Sequence, residues 1–136
     1  MIDRLHLAAG VCWASPWSLL GLVLGALGLL GGGQMQRTGR VIEFHGPALA
    51  WLLRRVPIQG GASAMTLGHV VIAADIAQLI RTRRHERVHV RQYERWGVLF
   101  VPAYLAFSLG LLIRGRDPYR DNPFEREAFE QVDGGK

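Results

Sequence analysis

The chain has 136 residues and a formal net charge of +5 at pH 7, with 16 Lys and Arg residues against 11 Asp and Glu. This length suits a single domain that buries its own core, and the lone cysteine, Cys12, excludes an internal disulfide bond. The basic excess fits nucleic acid or an anionic membrane surface, but no interleaved aromatic residues and no recognised nucleic-acid module accompany the arginines, so we expect no nucleic-acid partner.

An apolar helix is predicted between Ala14 and Gly33. The stretch has no charged residue and approaches the ~20 residues that cross a bilayer. Glycines recur on one side of this helix, which permits close packing against another helix. They are Gly21, Gly25 and Gly28. Membrane insertion is the favoured interpretation. The alternatives are a secretory signal, which lacks a clear cleavage site here, and a buried core helix of a soluble protein.

The glycine run 31–33 is the predicted hinge of the chain. We accordingly predict two parts, an apolar N-terminal helix over residues 1–33 that serves as a membrane anchor and a second domain over residues 34–136. Arginine is in excess after Leu30. If the first helix spans the membrane, the positive-inside rule places this second domain in the cytoplasm.

Two short strands and a short helix are predicted in the middle of the chain. Residues Arg40–His45 alternate between polar and apolar side chains and precede the breaker pair Gly46-Pro47. Residues Met65–Ala73 combine β-branched and apolar side chains, which favours a second strand. Ala48–Arg55 has short helical character. The pattern therefore predicts a small sheet of two or three strands.

The next predicted helix, Ile80 to Trp96, carries the pentapeptide H-E-R-V-H from His85 to His89, an H-E-x-x-H pattern. Positions i and i+4 lie one above the other on a helix, so both histidines can bind one zinc ion, and Glu86 can act as a base on the metal's water. By composition alone, roughly one such chain in a hundred carries this pattern, so a fortuitous match is an alternative. A third ligand elsewhere in the chain must support the site.

Six arginines crowd the same predicted helix. Because apolar segments lie on both sides of it in the sequence, contact with lipid phosphates explains the arginines with fewer assumptions than a nucleic-acid patch does. The alternative is an ordinary solvated face, since charge runs usually do no more than face water. The arginines are Arg81, Arg83, Arg84, Arg87, Arg91 and Arg95.

A second apolar stretch runs from Trp96 to Ile113. As a straight span it would extend ~27 Å and leave the rest of the chain on the far side of the bilayer, out of reach of the histidines. Gly97 allows the chain to reverse, and a helix from Leu99 to Ile113, with Pro102 in its first turn, can run back beside the motif helix. We therefore predict a helical hairpin that rests at most in the membrane interface.

Downstream of the motif, the candidates for the third zinc ligand are carboxylates, because no histidine or cysteine follows His89. The candidates are Glu94, Asp117, Asp121, Glu125, Glu127, Glu130 and Asp133. Asn122 can cap a helix that has Pro123 in its first turn. That helix would hold either Glu125 or Glu127 as the ligand.

The pattern His85-Glu86-x-x-His89, followed about 36 residues later by Glu125-x-x-Ala128 on another helix, resembles the gluzincin metallopeptidases, and the small size resembles the minigluzincins. The resemblance covers roughly Met65 to Gln131. It implies Zn²⁺ as cofactor and a small β-sheet packed on the active-site helix. Together with the apolar N-terminal helix and the antiparallel helix hairpin predicted above, this gives an α+β fold that is mostly helical.

The resemblance also implies roles for individual residues. Glu125, rather than Glu127, would complete the zinc site, and Glu86 would take a proton from the metal's water and pass it to the leaving amine. Tyr119 is the preferred stabiliser of the oxyanion, because it comes just before the third-ligand helix. Alternatives by residue type are His69 and His45.

Two further implications concern the surroundings of the zinc site. Many gluzincins carry an aspartate directly after the alanine of the second element, where it orients a zinc-binding histidine. This chain has Phe129 at that position, and Glu130 is the neighbouring carboxylate. In the same enzymes an edge strand lines the cleft and pairs with extended substrate, and residues Met65–Val71 are the predicted edge.

The predicted function is zinc-dependent hydrolysis of a peptide bond in a peptide or protein substrate, carried out by a small membrane-associated protein that contacts lipid. The alternative is a protein that binds zinc without hydrolysis and serves as a membrane interaction module. A third possibility is a helical membrane protein whose H-E-x-x-H pattern is fortuitous.

Overall fold

The computed structural model describes residues 2–56 and 61–133 of the chain. These residues form five α-helices, one 3-10 turn and a four-stranded sheet, so the predicted α+β, mostly helical fold is confirmed. In chain order the elements are α1 (Ile2–Leu30), β1 (Gln34–Thr38), β2 (Val41–His45), α2 (Pro47–Leu53), β3 (Ala64–Leu67), β4 (Val70–Ala73), α3 (Ile76–Trp96), the 3-10 turn (Gly97–Leu99), α4 (Phe100–Ile113) and α5 (Pro123–Asp133).

The sheet has the strand order β1-β2-β4-β3, in which β2 and β4 are parallel and the two outer pairs are antiparallel. The predicted strand Met65–Ala73 is a hairpin, because β3 ends at Leu67, Gly68 turns with a φ of 63°, and β4 begins at Val70. The predicted edge Met65–Val71 is therefore wrong in its second half. β3 alone is the edge strand, whereas β4 is a central strand with all four residues buried.

The two faces of β4 pack against different helices. Alternate residues of a strand point to opposite faces. Val70 and Ile72 form a core cluster with Phe44 of β2 and with α2, next to α1. Val71 and Ala73 form a second cluster with α3, on the other face. The sheet thus separates α2 and the C-terminal half of α1 from the motif helix, whereas Ala14 in the N-terminal half of α1 packs with Tyr93 of α3 and with Phe124.

One face of α1 packs on the sheet and on α2. At each glycine of the predicted stripe, an added Cβ would lie within 3 Å of a side chain from one of these elements, and the pairs are Gly21 with Val70, Gly25 with Phe44 and Gly28 with Leu49. The stripe permits the predicted close approach, and its partners are the sheet at Gly21 and Gly25 and another helix, α2, at Gly28. After α1, the N–H of Gly33 donates to the carbonyl of Gly28 at 2.9 Å.

α3 begins earlier than predicted because Asp75 caps it, its side chain accepting a hydrogen bond from the N–H of Gln78 at 2.8 Å. Glu43 of β2 is only 1% exposed and accepts two hydrogen bonds from Arg83 at 3.0 Å. Hydrogen bonds from Thr38 and Gln36 also reach this carboxylate. This buried ion pair fixes the motif helix to the sheet.

Most arginines of α3 bond to groups within the protein. The pairs are Arg81 with Ser63, Arg83 with Glu43, Arg87 with the carbonyl of Thr38, Arg91 with Gln131 and Arg95 with Glu127. These five side chains tie α3 to its neighbours. The lipid contact predicted for the arginines of this helix stays a prediction.

The chain reverses after α3, as predicted. Gly97 ends the helix with a φ of 59°. Phe100, at the start of α4, then packs on Tyr93 and His89, with ring centroids 4.3 and 6.3 Å away. α4 therefore returns past the histidines of the motif and brings Tyr104 toward α5.

Asn122 joins α4 to α5. Its side chain is fully buried, and its Nδ2 donates to the carbonyl of Tyr104 at 3.1 Å and to Oγ of Ser108 at 2.9 Å. Its Oδ1 accepts a hydrogen bond from the N–H of Phe124 at 3.0 Å, which is the helix cap predicted from the sequence. The position of α5, and with it the third ligand, depends on this residue.

Two helical stretches of the described chain are long and apolar enough to cross a membrane by length and composition. One is Cys12–Leu30 in α1, and the other lies within the continuous helical run Ile76–Ile113. Both are mostly exposed to the surroundings of the protein. This is consistent with the predicted membrane association.

Candidate metal centre

Three predicted ligands meet between α3 and α5. His85 and His89 lie on successive turns of α3, and Glu125 comes from the first turn of α5. Oε2 of Glu125 is 2.9 Å from Nε2 of His85 and 3.2 Å from Nε2 of His89. The two Nε2 atoms are 3.3 Å apart. These residues form a group of donors that could hold a metal ion.

The spacing of these donors suits zinc. Ligand atoms that sit 2.0–2.1 Å from a tetrahedral zinc ion are about 3.3–3.4 Å from one another. The three observed separations of 2.9, 3.2 and 3.3 Å are close to this spacing. Two imidazoles and one carboxylate are also a ligand set of catalytic zinc sites, which leave the fourth position for water. The residues present therefore fit the predicted ion.

The electrostatics of the site favour opposite charges on its members. Burial alone would raise the pKa of Glu125, but hydrogen bonds from His85 and His89, and the charges of these rings, lower it to about 2. Burial alone would lower the pKa of His89, yet the hydrogen bond and charge of Glu125 raise it to about 9. Without metal, a proton on His89 compensates the buried carboxylate. A bound cation would take over that role.

Gln92 orients the second histidine. It is fully buried, and its Oε1 accepts a hydrogen bond from Nδ1 of His89 at 2.8 Å. Its Nε2 donates to the carbonyl of Phe124 at 2.9 Å, which fixes the direction of the amide. A proton on Nδ1 leaves the lone pair of Nε2 free to bind a metal. Gln92 was not among the residues predicted from the sequence, although it follows His89 by one helical turn and therefore lies on the same face of α3.

Aromatic residues surround the other ligands. The hydroxyl of Tyr104 donates to Oε1 of Glu125 at 2.8 Å, a contact that the sequence analysis did not predict. Phe129 packs on the ring of His85, with centroids 4.7 Å apart. Many gluzincins, which the sequence resembles, have an aspartate at this position that orients a zinc-binding histidine. In this protein His85 has an aromatic contact with Phe129 there. Glu130, the alternative carboxylate, is exposed on the outer side of α5.

Glu86 lies between α3 and the edge strand. Its side chain is buried, and its Oε2 accepts a hydrogen bond from the hydroxyl of Thr66 in β3 at 2.6 Å. The same hydroxyl is 3.2 Å from the carbonyl of Glu86. The predicted base is thus held in place by the strand that would line a substrate cleft.

Tyr119 is close to the ligands, whereas the other oxyanion candidates are engaged elsewhere or lie apart. Burial raises the pKa of Tyr119, and the negative charge of Glu125 raises it further. Nε2 of His69 is instead 3.1 Å from Glu94, and His45 ends β2. Glu127, the alternative third ligand, pairs with Arg95 at 2.6 Å. These candidates therefore fall outside the metal-binding group.

Comparison with protein-family models, with characterised proteins and with solved structures found no match for this chain. The resemblance to the gluzincins therefore stays a prediction. It rests on the H-E-x-x-H pattern, on the spacing to Glu125 and on the fit of the three donors to zinc.

Proposed function

We propose that this protein is a membrane-associated zinc peptidase in which His85, His89 and Glu125 hold the ion. The observation that carries the proposal is the convergence of their three donor atoms to separations of 2.9 to 3.3 Å. Two donors come from an H-E-x-x-H helix and the third from a different helix, so chance pairing of neighbours within one element does not account for the group.

Zinc bound there would supply a Lewis acid that polarises a peptide carbonyl and lowers the pKa of water toward about 7. Glu86 serves as the base, since the hydrogen bond from Thr66 to Oε2 leaves its Oε1 to accept a proton from the attacking water. Glu86 then delivers that proton to the leaving amine. The raised pKa of Tyr119 keeps its hydroxyl protonated, so it can donate to the developing oxyanion.

The substrate class in this proposal is an extended peptide. β3 is at the edge of the sheet and carries Thr66, the partner of Glu86. A peptide that adds to this edge as another strand passes the proposed base. We place the catalytic part on the cytoplasmic side, because its arginines suit the anionic surface of the cytoplasmic leaflet.

A second candidate is a zinc-binding protein without hydrolytic activity that serves as a membrane interaction module. The observation in its favour is the low exposure of the site, since the side chains of His85, His89 and Glu125 are 13%, 8% and 6% exposed. Glu86 is only 6% exposed as well. A substrate reaches such a site only if the surrounding helices leave a path to it.

Zinc content and peptide cleavage of the purified, detergent-solubilised chain test the proposal. We expect about one zinc per chain, lost in His85→Ala and in Glu125→Ala but kept in the matched control Glu127→Ala. Glu86→Gln should keep the zinc and lose cleavage. Metal content that is unaffected by His85→Ala would overturn the site, and undiminished cleavage by Glu86→Gln would overturn the mechanism. Zinc without cleavage in the unmodified chain would favour the second candidate.

A further inference from the structure

We propose that α1 lies in the plane of an anionic membrane surface, with its outer side and the exposed side of α2 in the lipid interface, and does not cross the bilayer. The inference rests on the membrane association proposed above, but it needs no metal. It concerns the C-terminal half of α1 together with α2, which the sheet separates from the motif helix.

The packing of α1 excludes a simple crossing. The sheet and α2 cover its inner face at Gly21, Gly25 and Gly28, which lie within the apolar stretch Cys12–Leu30. If that stretch crossed the hydrocarbon region, the sheet would have to enter it as well. An open sheet cannot do so, because the unpaired backbone groups of its edges would have no hydrogen-bond partners in lipid. The exposed edge of this sheet is β1, whereas the carbonyl of Thr66 in the other edge strand, β3, accepts a hydrogen bond from Tyr93 at 3.1 Å.

The outer face of α1 is unsuited to water. Large apolar side chains recur on it at intervals of four, four and three residues, opposite the glycine stripe, and all are between 52% and 86% exposed: Leu19, Val23, Leu27 and Leu30. A surface helix in water carries polar residues on this side, whereas α1 has no charged residue from Leu5 to Leu30. Because the protein covers one face of α1, the apolar outer face can enter the lipid interface as the apolar face of an interfacial helix does.

α2 supplies the polar part of the same surface. It packs on the same face of the sheet as α1, so the exposed sides of both helices point away from the sheet in the same direction. Its exposed side carries Arg54, Arg55 and Trp51, and the guanidinium of Arg55 lies 3.6 Å from the centre of the Trp51 ring. Tryptophan and arginine beside an apolar face suit the headgroup region of an anionic bilayer. This charge selects lipid over a second copy of the chain, which would bring like charges together.

Depth measurements separate the in-plane arrangement from a crossing. We would replace the exposed Cys12 by serine, place single cysteines at Leu19, Val23 and Leu30, label them with an environment-sensitive fluorophore, and reconstitute the chain in vesicles that contain quencher lipids at known depths. From Leu19 to Leu30 the helix advances about 16 Å. An in-plane helix gives three similar depths of roughly 5–10 Å. Depths that change by more than about 10 Å along the helix would overturn the inference.

Charge variants test the choice of an anionic surface. Each arginine near such a surface contributes about 1 kcal/mol, so Arg54→Ala with Arg55→Ala should weaken binding to phosphatidylcholine–phosphatidylglycerol vesicles roughly 30-fold. Binding to pure phosphatidylcholine should hardly change. The control Arg84→Ala removes an exposed arginine from α3, on the other side of the sheet, and should have little effect. Equal losses in the double variant and the control would contradict the proposed surface.

Two further outcomes are decisive. If a second copy of the chain covers α1, the labels escape lipid quenching and the protein has twice the expected mass in solution, which would overturn the inference. His85→Ala should bind vesicles like the unmodified chain, because the surface does not include the metal site. The failure of the zinc proposal and the failure of the membrane arrangement can therefore be told apart.

Discussion

The glycine stripe of α1 allows a sharp test of how that helix is held. In Gly25→Ala, the new Cβ would lie 2.6 Å from Cγ of Phe44 and closer still to two other carbons of the ring. Phe44 is 3% exposed and belongs to the core cluster between α2 and the sheet, so its ring has little space to move into. The substitution therefore forces the core to rearrange.

The expected change in the free energy of unfolding of Gly25→Ala follows from two opposing effects. Overpacking of a well-packed core costs about 1–3 kcal/mol, and an overlap with a buried ring belongs at the upper end of this range. Alanine in place of glycine within a helix stabilises the folded state by about 0.5–1 kcal/mol. We expect Gly25→Ala to lower the free energy of unfolding by about 2 kcal/mol, and the Tm of a chain of this size by roughly 6–10 °C.

Gly110→Ala in α4 is the matched control, because a Cβ at that position meets no neighbouring atom within 4 Å. It should raise the free energy of unfolding by about 0.5–1 kcal/mol. Thermal unfolding of both variants, followed by circular dichroism in the same detergent, measures the difference. If α1 were a detached anchor, Gly25→Ala would stabilise the chain as Gly110→Ala does. Tm shifts of the same sign would thus refute the packing argument.

Two other predictions concern buried polar residues. Gln92→Leu removes the acceptor of His89 Nδ1 and should lower zinc affinity about 10- to 100-fold in competition with a chelator, whereas the exposed Gln131→Leu should not change it. Burial would raise the pKa of Glu43, but the bonds and charge of Arg83 outweigh this and lower it. Its stabilisation is therefore complete above the ordinary value of about 4.5 and is lost as the pH falls through the lower folded value. Denaturant unfolding should find Glu43→Gln less stable by about 2–4 kcal/mol at pH 6, with a smaller difference at pH 3; a difference that does not shrink would contradict the assignment.

Two kinds of feature were predictable from the sequence. Helices are predictable from local periodicity, and the return of the chain to the motif is predictable from the need for a carboxylate near the two histidines. The motif helix follows from its pattern, and the hairpin and third ligand follow from the need for a carboxylate to return to His85 and His89. β1 does not follow from any local pattern, because its residues Gln34–Thr38 are mostly polar and exposed. It is a strand because the turn at Gly39, with a φ of 65°, pairs it with β2.

The partner of the glycine stripe illustrates a second limit of the sequence. Small residues on one side of a helix predict that something approaches closely, but they carry no information about what approaches. Gly25 would look the same against a second helix as against Phe44 of the sheet. The tertiary structure shows that the neighbour of Gly25 is Phe44 of the sheet. The in-plane helix proposed above, in place of a membrane-spanning helix, rests on this contact.

The surroundings of the metal-binding group indicate that the site is organised by folding. Gln92 links α3 to the first turn of α5 through the carbonyl of Phe124, and Asn122 links α5 to α4. Tyr104 then fixes the carboxylate of Glu125 from α4. These contacts need no metal, so the side chain of Glu125 is ordered before an ion arrives. Metal binding therefore does not have to offset the entropy lost when this side chain is ordered. Zinc fingers are different, because they unfold when the metal is removed. Here the hydrogen bonds that position the three donors hold three helices together without an ion, so we expect the fold to persist when metal is removed.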